Sequence, residues 1–84
     1  MRDIKTLLKL MRRKLIWYML FEDCLGLCAV SGEMVNNGLM SYEEAVILDA
    51  YLEGHKPIGL CGYWWLRGEI LPRYRFLSRL IREL

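Results

Sequence analysis

Six side chains in one short stretch are suited to holding a ligand: Tyr63, Trp64, Trp65, Arg67, Glu69 and Arg73, set within Gly-Tyr-Trp-Trp-Leu-Arg-Gly-Glu-Ile-Leu-Pro-Arg-Tyr-Arg. A rigid indole face gives up its water cheaply, and a guanidinium fork matches planar anions, so Trp and Arg concentrate where proteins bind. Stacking on a base contributes about 1–3 kcal/mol, and two arginine contacts to phosphate or carboxylate add a comparable amount. Glu69 either pairs with Arg67 or Arg73 or occupies the positive end of a following helix, where an anion held by the two arginines would also sit. In a purely structural alternative, one indole lies over the core and Glu69 takes up an arginine. Adjacent tryptophans rarely face the same way, so one of the two belongs to the core in either case.

Other reactive residues are less well arranged. Cys24, Cys28, Cys61 and His55 are the right ligand types for zinc, but Cys24 and Cys28 stand four apart on an expected helix and no Cys-x-x-Cys turn exists. Buried cysteine acting as a small hydrophobe and His55 acting as a helix cap account for them without a metal. The single histidine has no adjacent Ser or Cys partner, with Cys61 six residues away. The pairs Glu22–Asp23 and Glu43–Glu44 point in different directions on a helix. The sequence therefore predicts no enzyme and no cofactor. Arg75, Arg79 and Arg82 share one face of an expected last helix. With Arg12 and Arg13 they either follow a phosphate backbone or pair with acids such as Glu43, Glu44 and Glu53.

The elements that position these groups follow from spacing. Ile4, Leu7, Leu8, Met11, Leu15, Tyr18 and Met19 recur at three- and four-residue steps, with Asp3 placed to cap, which predicts a first helix ending near residues 21–23. Leu27, Val30, Met34 and Val35 form a second stripe that stops at Asn36-Asn37-Gly38, because Asn and Gly accept the left-handed conformation that closes a helix. Ser41-Tyr42-Glu43-Glu44 has the form of a capping box, so a third helix begins at Tyr42, with Gly54 ending it. Pro57, Gly59, Gly62 and Gly68 place the aromatic pair on an irregular loop. Pro72 suits the first turn of a fourth helix whose seam is Leu77, Leu80, Ile81 and Leu84. The expected fold is all-α: a small bundle of three to four helices with an irregular aromatic loop before the last, in one domain spanning 1–84.

Composition bounds the rest. Eighty-four residues, 55% of them hydrophobic, are more apolar than a small sphere can hide, so partner chains of the same kind are expected and the chain is read as a homo-oligomer. A net charge of +2 implies no nucleic-acid partner by itself, but its distribution is uneven: the ends are basic and the middle is acidic. The apolar runs at 15–21 and 24–30 are broken by Glu22 and Asp23, well short of the roughly 20 residues a membrane span needs. Three cysteines and no secretory pattern fit a reducing cytoplasm.

The pattern resembles small proteins of unknown function encoded by tailed bacteriophages. The resemblance is carried by Gly-Leu-Cys at Gly26 to Cys28, by Gly-Leu-Met-Ser-Tyr-Glu-Glu at Gly38 to Glu44, and by Tyr-Trp-Trp-x-x-Gly-Glu-x-x-Pro-Arg with Phe-Leu, from Tyr63 to Leu77. It implies an accessory, anti-defence role in the cytoplasm of a bacterial host. Together with the aromatic and arginine groups it leads to the expectation of a protein that sequesters a small anionic, nucleotide-like ligand. The alternative is an inhibitor that docks the same Trp and Arg residues on a host enzyme or nucleic-acid complex. A structural oligomer whose tryptophans seal a subunit interface is the blandest version.

Overall fold

Asp3 begins the first helix by accepting from the Thr6 amide at 2.8 Å, satisfying one of the donors that a helix N-terminus leaves over. The computed structural model describes residues 2–21, 27–55 and 70–84, apart from the side chains of 18–21, 27–29 and 70. Within them lie four helices: α1 (Ile4–Phe21), α2 (Leu27–Asn36), α3 (Tyr42–Gly54) and α4 (Ile70–Glu83). No strand occurs among the described residues, and the fold is a small all-α bundle, as the spacing predicts. The expected aromatic loop falls outside the described residues. No helix among them is long and apolar enough to cross a membrane.

α1 is the hub. It packs against α4 on one side and receives α2 and α3, which also pack on each other, while α4 makes no comparable contact with α2 or α3. Leu7, Leu8, Met11 and Leu15 of α1 meet Val30 and Met34 of α2, Ala45, Leu48 and Leu52 of α3, and Phe76, Leu77, Leu80 and Ile81 of α4 in one core. Each fully buried aliphatic side chain of this kind contributes about 1.5–3 kcal/mol relative to exposure.

The turn from α2 to α3 is fixed by polar groups. The Leu39 amide donates to the Met34 carbonyl at 2.9 Å and the Gly38 amide to Val35 at 3.1 Å, with Gly38 at φ 74°. This is a Schellman closure, and it needs a residue that tolerates the left-handed region. Ser41 then caps α3: its Oγ accepts from the Glu44 amide at 3.1 Å while Glu44 accepts from the Ser41 amide at 3.0 Å. Glu44 does more than the capping pattern requires. Its carboxylate also accepts from Arg2 Nε at 3.0 Å, Arg2 Nη2 at 3.1 Å and the Arg2 amide at 3.1 Å, and Arg2 Nη2 donates to the Leu39 carbonyl at 2.7 Å. The Arg2 side chain, followed by the backbone amides, holds the Glu44 carboxyl well below the usual carboxylate range. Glu44 therefore pairs with Arg2 rather than with an arginine of α4, whose main packing is on α1.

Candidate functional site

The helix packing brings two basic stripes together. On α1, Lys9, Arg12, Arg13 and Ile16 follow steps of three and four; on α4, Leu71, Arg75, Ser78 and Arg82 do the same. The α1–α4 contact turns these rows into the walls of a groove with two neighbouring clefts. One, of about 420 Å³, is lined by Arg12, Leu71, Tyr74, Arg75, Ser78 and Arg82. The other, of about 410 Å³, is lined by Lys9, Arg12, Arg13, Ile16 and Tyr74. Arg12 and Tyr74 belong to both.

Arg12 is held in place. Its Nη1 donates to Ser78 Oγ at 3.0 Å, and its guanidinium carbon lies 5.5 Å from the centre of the Tyr74 ring. A guanidinium over an aromatic face keeps its remaining donors available while losing side-chain freedom before any ligand arrives. Arg75 and Arg82, two helical turns apart on the same face, are exposed. Arg79 lies off this stripe, over the Phe76 ring at 5.6 Å and 3.9 Å from Glu83. The charge around the groove is one-sided: residues 2–21 and 70–84 hold ten Lys and Arg against Asp3 and Glu83 alone. A shallow groove with an aromatic ring and several cations, Arg12 among them held by Ser78 and Tyr74, focuses the field on an anion.

Of the residues singled out in the sequence, Tyr63, Trp64, Trp65, Arg67 and Glu69 lie outside the described residues. Arg73 is placed. It belongs to the first turn of α4, one turn before Leu77, and its side chain is only 1% exposed, on the buried face of the helix. Burial, which disfavours the charged form, lowers the pKa of its guanidinium. Pro72 falls in that first turn, as expected.

His55 caps α3, with Nδ1 2.8 Å from the Tyr51 carbonyl oxygen and its ring stacked on Tyr51 at 4.1 Å between centroids. Cys24 and Cys61 lie outside the described residues. Among those described, no group of three His, Cys, Asp or Glu is placed to hold a metal ion.

Two features escape the sequence reading. Trp17 is 57% exposed on α1 with Ile16 beside it at 42%, an apolar step next to the second cleft. The signal was there, since position 17 falls off the 4, 7, 8, 11, 15 stripe that faces the core. The pairing of Arg12 with Ser78 and Tyr74 has no local signal, because 62 or more residues separate the partners in sequence and only the α1–α4 packing joins them.

No protein-family model matches the chain, and no curated protein or solved structure gives a significant match to it.

Proposed function

We propose that this protein binds a small anionic, nucleotide-like ligand in the groove between α1 and α4, and that it acts by sequestering it. The observation that carries the reading is the convergence of Arg12, Arg75 and Arg82 with Tyr74 on one cleft of about 420 Å³. That volume lies in the range of small-molecule sites, about 300–1,000 Å³. The guanidinium groups, of which Arg12 is held in place by Ser78 and Tyr74, supply bidentate contacts to phosphate oxygens, and Tyr74 supplies an apolar wall for a base or sugar. Tyr63, Trp64, Trp65, Arg67 and Glu69, which precede α4 in the sequence, belong to the same proposal for stacking and charge, whereas Arg73 is buried in the first turn of the helix and lines neither cleft. The resemblance to phage accessory proteins makes the setting an infected bacterial cytoplasm, and the ligand a molecule the host uses in defence. Assembly into a homo-oligomer belongs to the proposal as well, on the ground of an apolar composition in a short chain.

Calorimetry of the full chain against cyclic and linear mononucleotides, dinucleotides and inorganic triphosphate tests it. Binding at roughly micromolar Kd, about −8 kcal/mol, is expected for at least one nucleotide and is weakened by Arg12→Ala. Absence of heat across the whole panel, from protein shown to be folded, removes the reading.

One observation favours a second reading, an inhibitor that docks on a host protein. Trp17 and Ile16 project from α1 as exposed apolar groups beside the basic groove, and a tryptophan next to arginines has the composition of an interface hot spot. In that case Trp17→Ala abolishes capture of the host partner and leaves nucleotide calorimetry silent.

A further inference from the structure

Away from the basic groove, the α2–α3 pair carries a second concavity of about 340 Å³, whose walls include Gly32, Val35, Tyr42 and Val46 and whose polar end is formed by Ser31 and Asp49. Three observations on it converge. The first is Gly32. It lies in the interior of α2, where glycine costs about 0.5–1 kcal/mol relative to alanine. Its φ is not in the left-handed region, and a Cβ built on it would meet nothing within 4 Å. The fold of one chain therefore does not require glycine here; bare backbone at this point leaves room for something from outside to come close. The second is the rim. Tyr42 is 74% exposed and Val46 50% exposed at the groove, an apolar surface that the monomer leaves in water.

The third is charge. Residues 27–55 hold five acids and no Lys or Arg, whereas residues 2–21 and 70–84 hold ten Lys and Arg against two acids. Asp49 places its carboxylate at the groove, oriented by the Ser31 hydroxyl, which donates to Oδ1 at 2.9 Å and Oδ2 at 3.1 Å. One hydroxyl leaves most of the acceptor positions of that carboxylate open to a guanidinium. Since α4 packs mainly on α1 and makes no comparable contact with α2 or α3, the basic α1–α4 groove and the acidic α2–α3 groove belong to different parts of the bundle.

We infer that the α2–α3 groove is the docking site for a second copy of this chain, which presents its cationic α1–α4 face with an arginine on Asp49 and apolar side chains over Gly32. The contact is heterologous: the groove of one copy meets a different surface of the next, so it propagates into a ring or an open chain rather than closing as a two-fold dimer. Because the docked copy covers the basic face, nucleotide and neighbour compete for it. The inference names the interface for the proposed assembly and does not depend on the identity of any ligand.

Sedimentation velocity with paired variants tests it. Gly32→Arg fills the groove with a long cationic side chain at an exposed helix position that favours Arg over Gly, so folding is retained. Asp49→Asn removes the charge and keeps an oxygen for the Ser31 hydroxyl. Arg75→Glu with Arg82→Glu reverses the opposite face at exposed positions. The wild type is expected to associate at an ionic strength of roughly 0.05 M and to weaken about tenfold or more at roughly 0.5 M, where screening shortens the reach of surface charge. Gly32→Arg alone and the double arginine variant alone sediment as monomers, and Asp49→Asn associates several-fold more weakly than wild type. Mixed one to one, the two blocked variants form a species of two chains and nothing larger, since each supplies the face the other lacks. A wild-type oligomer unaffected by Gly32→Arg, or a mixture that stays monomeric, overturns the interface while leaving assembly itself standing. A wild type that is monomeric at both ionic strengths overturns both.

Discussion

The α2–α3 pair and the α1–α4 pair are built from the same kind of helix and held in opposite ways. In α2–α3 the chain geometry is written into local polar groups: the Gly38 closure, the Ser41 cap and the Glu44 carboxylate that ties Arg2 and Leu39 to the same corner. In α1–α4 the two helices are distant in sequence, and what joins them is the apolar core to which both contribute, with Arg12 reaching across to Ser78. The first arrangement places backbone; the second places side chains. A surface made by packing two remote helices can bring together cations that no local motif contains, and this is why the candidate site lies there.

The difference is open to direct challenge, beginning with the core. Leu48→Ala and Leu77→Ala should each destabilise by about 2–5 kcal/mol, read from denaturant unfolding followed by circular dichroism. Both residues are fully buried, one in each pair. If Leu77→Ala unfolds only a fraction of the helical signal, α4 is a separable unit docked on the rest, and the two regions differ in cooperativity as well as in charge.

Arg12→Ala comes next. Removing the guanidinium that Ser78 and Tyr74 hold at the groove should lower the affinity for the proposed nucleotide about tenfold or more, as expected for the loss of charge-assisted bonds of about 1.5–3 kcal/mol. Glu43→Gln, on the exposed first turn of α3, should leave that affinity unchanged. Equal effects from both would mean that long-range charge and not the groove is responsible.

Ser41→Ala should cost about 1 kcal/mol, since it removes the acceptor for the Glu44 amide. The same corner sets the response to acid. The folded-state pKa values of Glu44 and Asp3 are both depressed, Glu44 by Arg2 first and Asp3 by Thr6 first. Their stabilisation is thus fully present above the ordinary carboxylate range, about 3.9–4.3, and is lost as pH falls through it toward the lower folded values. Asp49 runs the other way. Burial raises its pKa, so its ionisation as pH rises through this range disfavours the folded state. A thermal melt series from about pH 7 to pH 3 should show stability falling on the acid side, and Glu44→Gln should flatten that fall while lowering the plateau. Gly32→Ala is the smallest effect: a gain of about 0.5–1 kcal/mol, because the position has helical backbone and open space.

How much of this could be read from the chain follows the same division. The start of α1, the end of α2 and both ends of α3 fall within a residue or two of the expected places because Asp3, Asn37-Gly38, Ser41 and Gly54 carry their conformational preference in their own side chains or lack of one. Pro72 placed the first turn of α4 for the same reason. The Arg2–Glu44 pair spans 42 residues and was not legible, since the capping pattern accounts for Glu44 without it. Residue type alone makes Arg73 a candidate anion contact, but its four-residue step to Leu77 puts it on the buried seam. Arg12 and Arg75 were visible as two basic stripes, but whether they shared a groove depended on which helix α4 chose to pack against. Trp17 carries its signal in its position off the apolar stripe of α1, which leaves the indole exposed.

The proposed anion site is the α1–α4 groove. Amide chemical-shift mapping by ¹⁵N–¹H NMR, titrating the full chain with the nucleotide that gives the largest heat, tests it most directly. The largest shifts are expected at Lys9, Arg12, Arg13, Tyr74, Arg75, Ser78 and Arg82, with any change between Val30 and Asp49 limited to the release of a neighbouring copy from the α2–α3 groove. Shifts confined to the α2–α3 pair, with the groove amides unchanged at saturation, would contradict it.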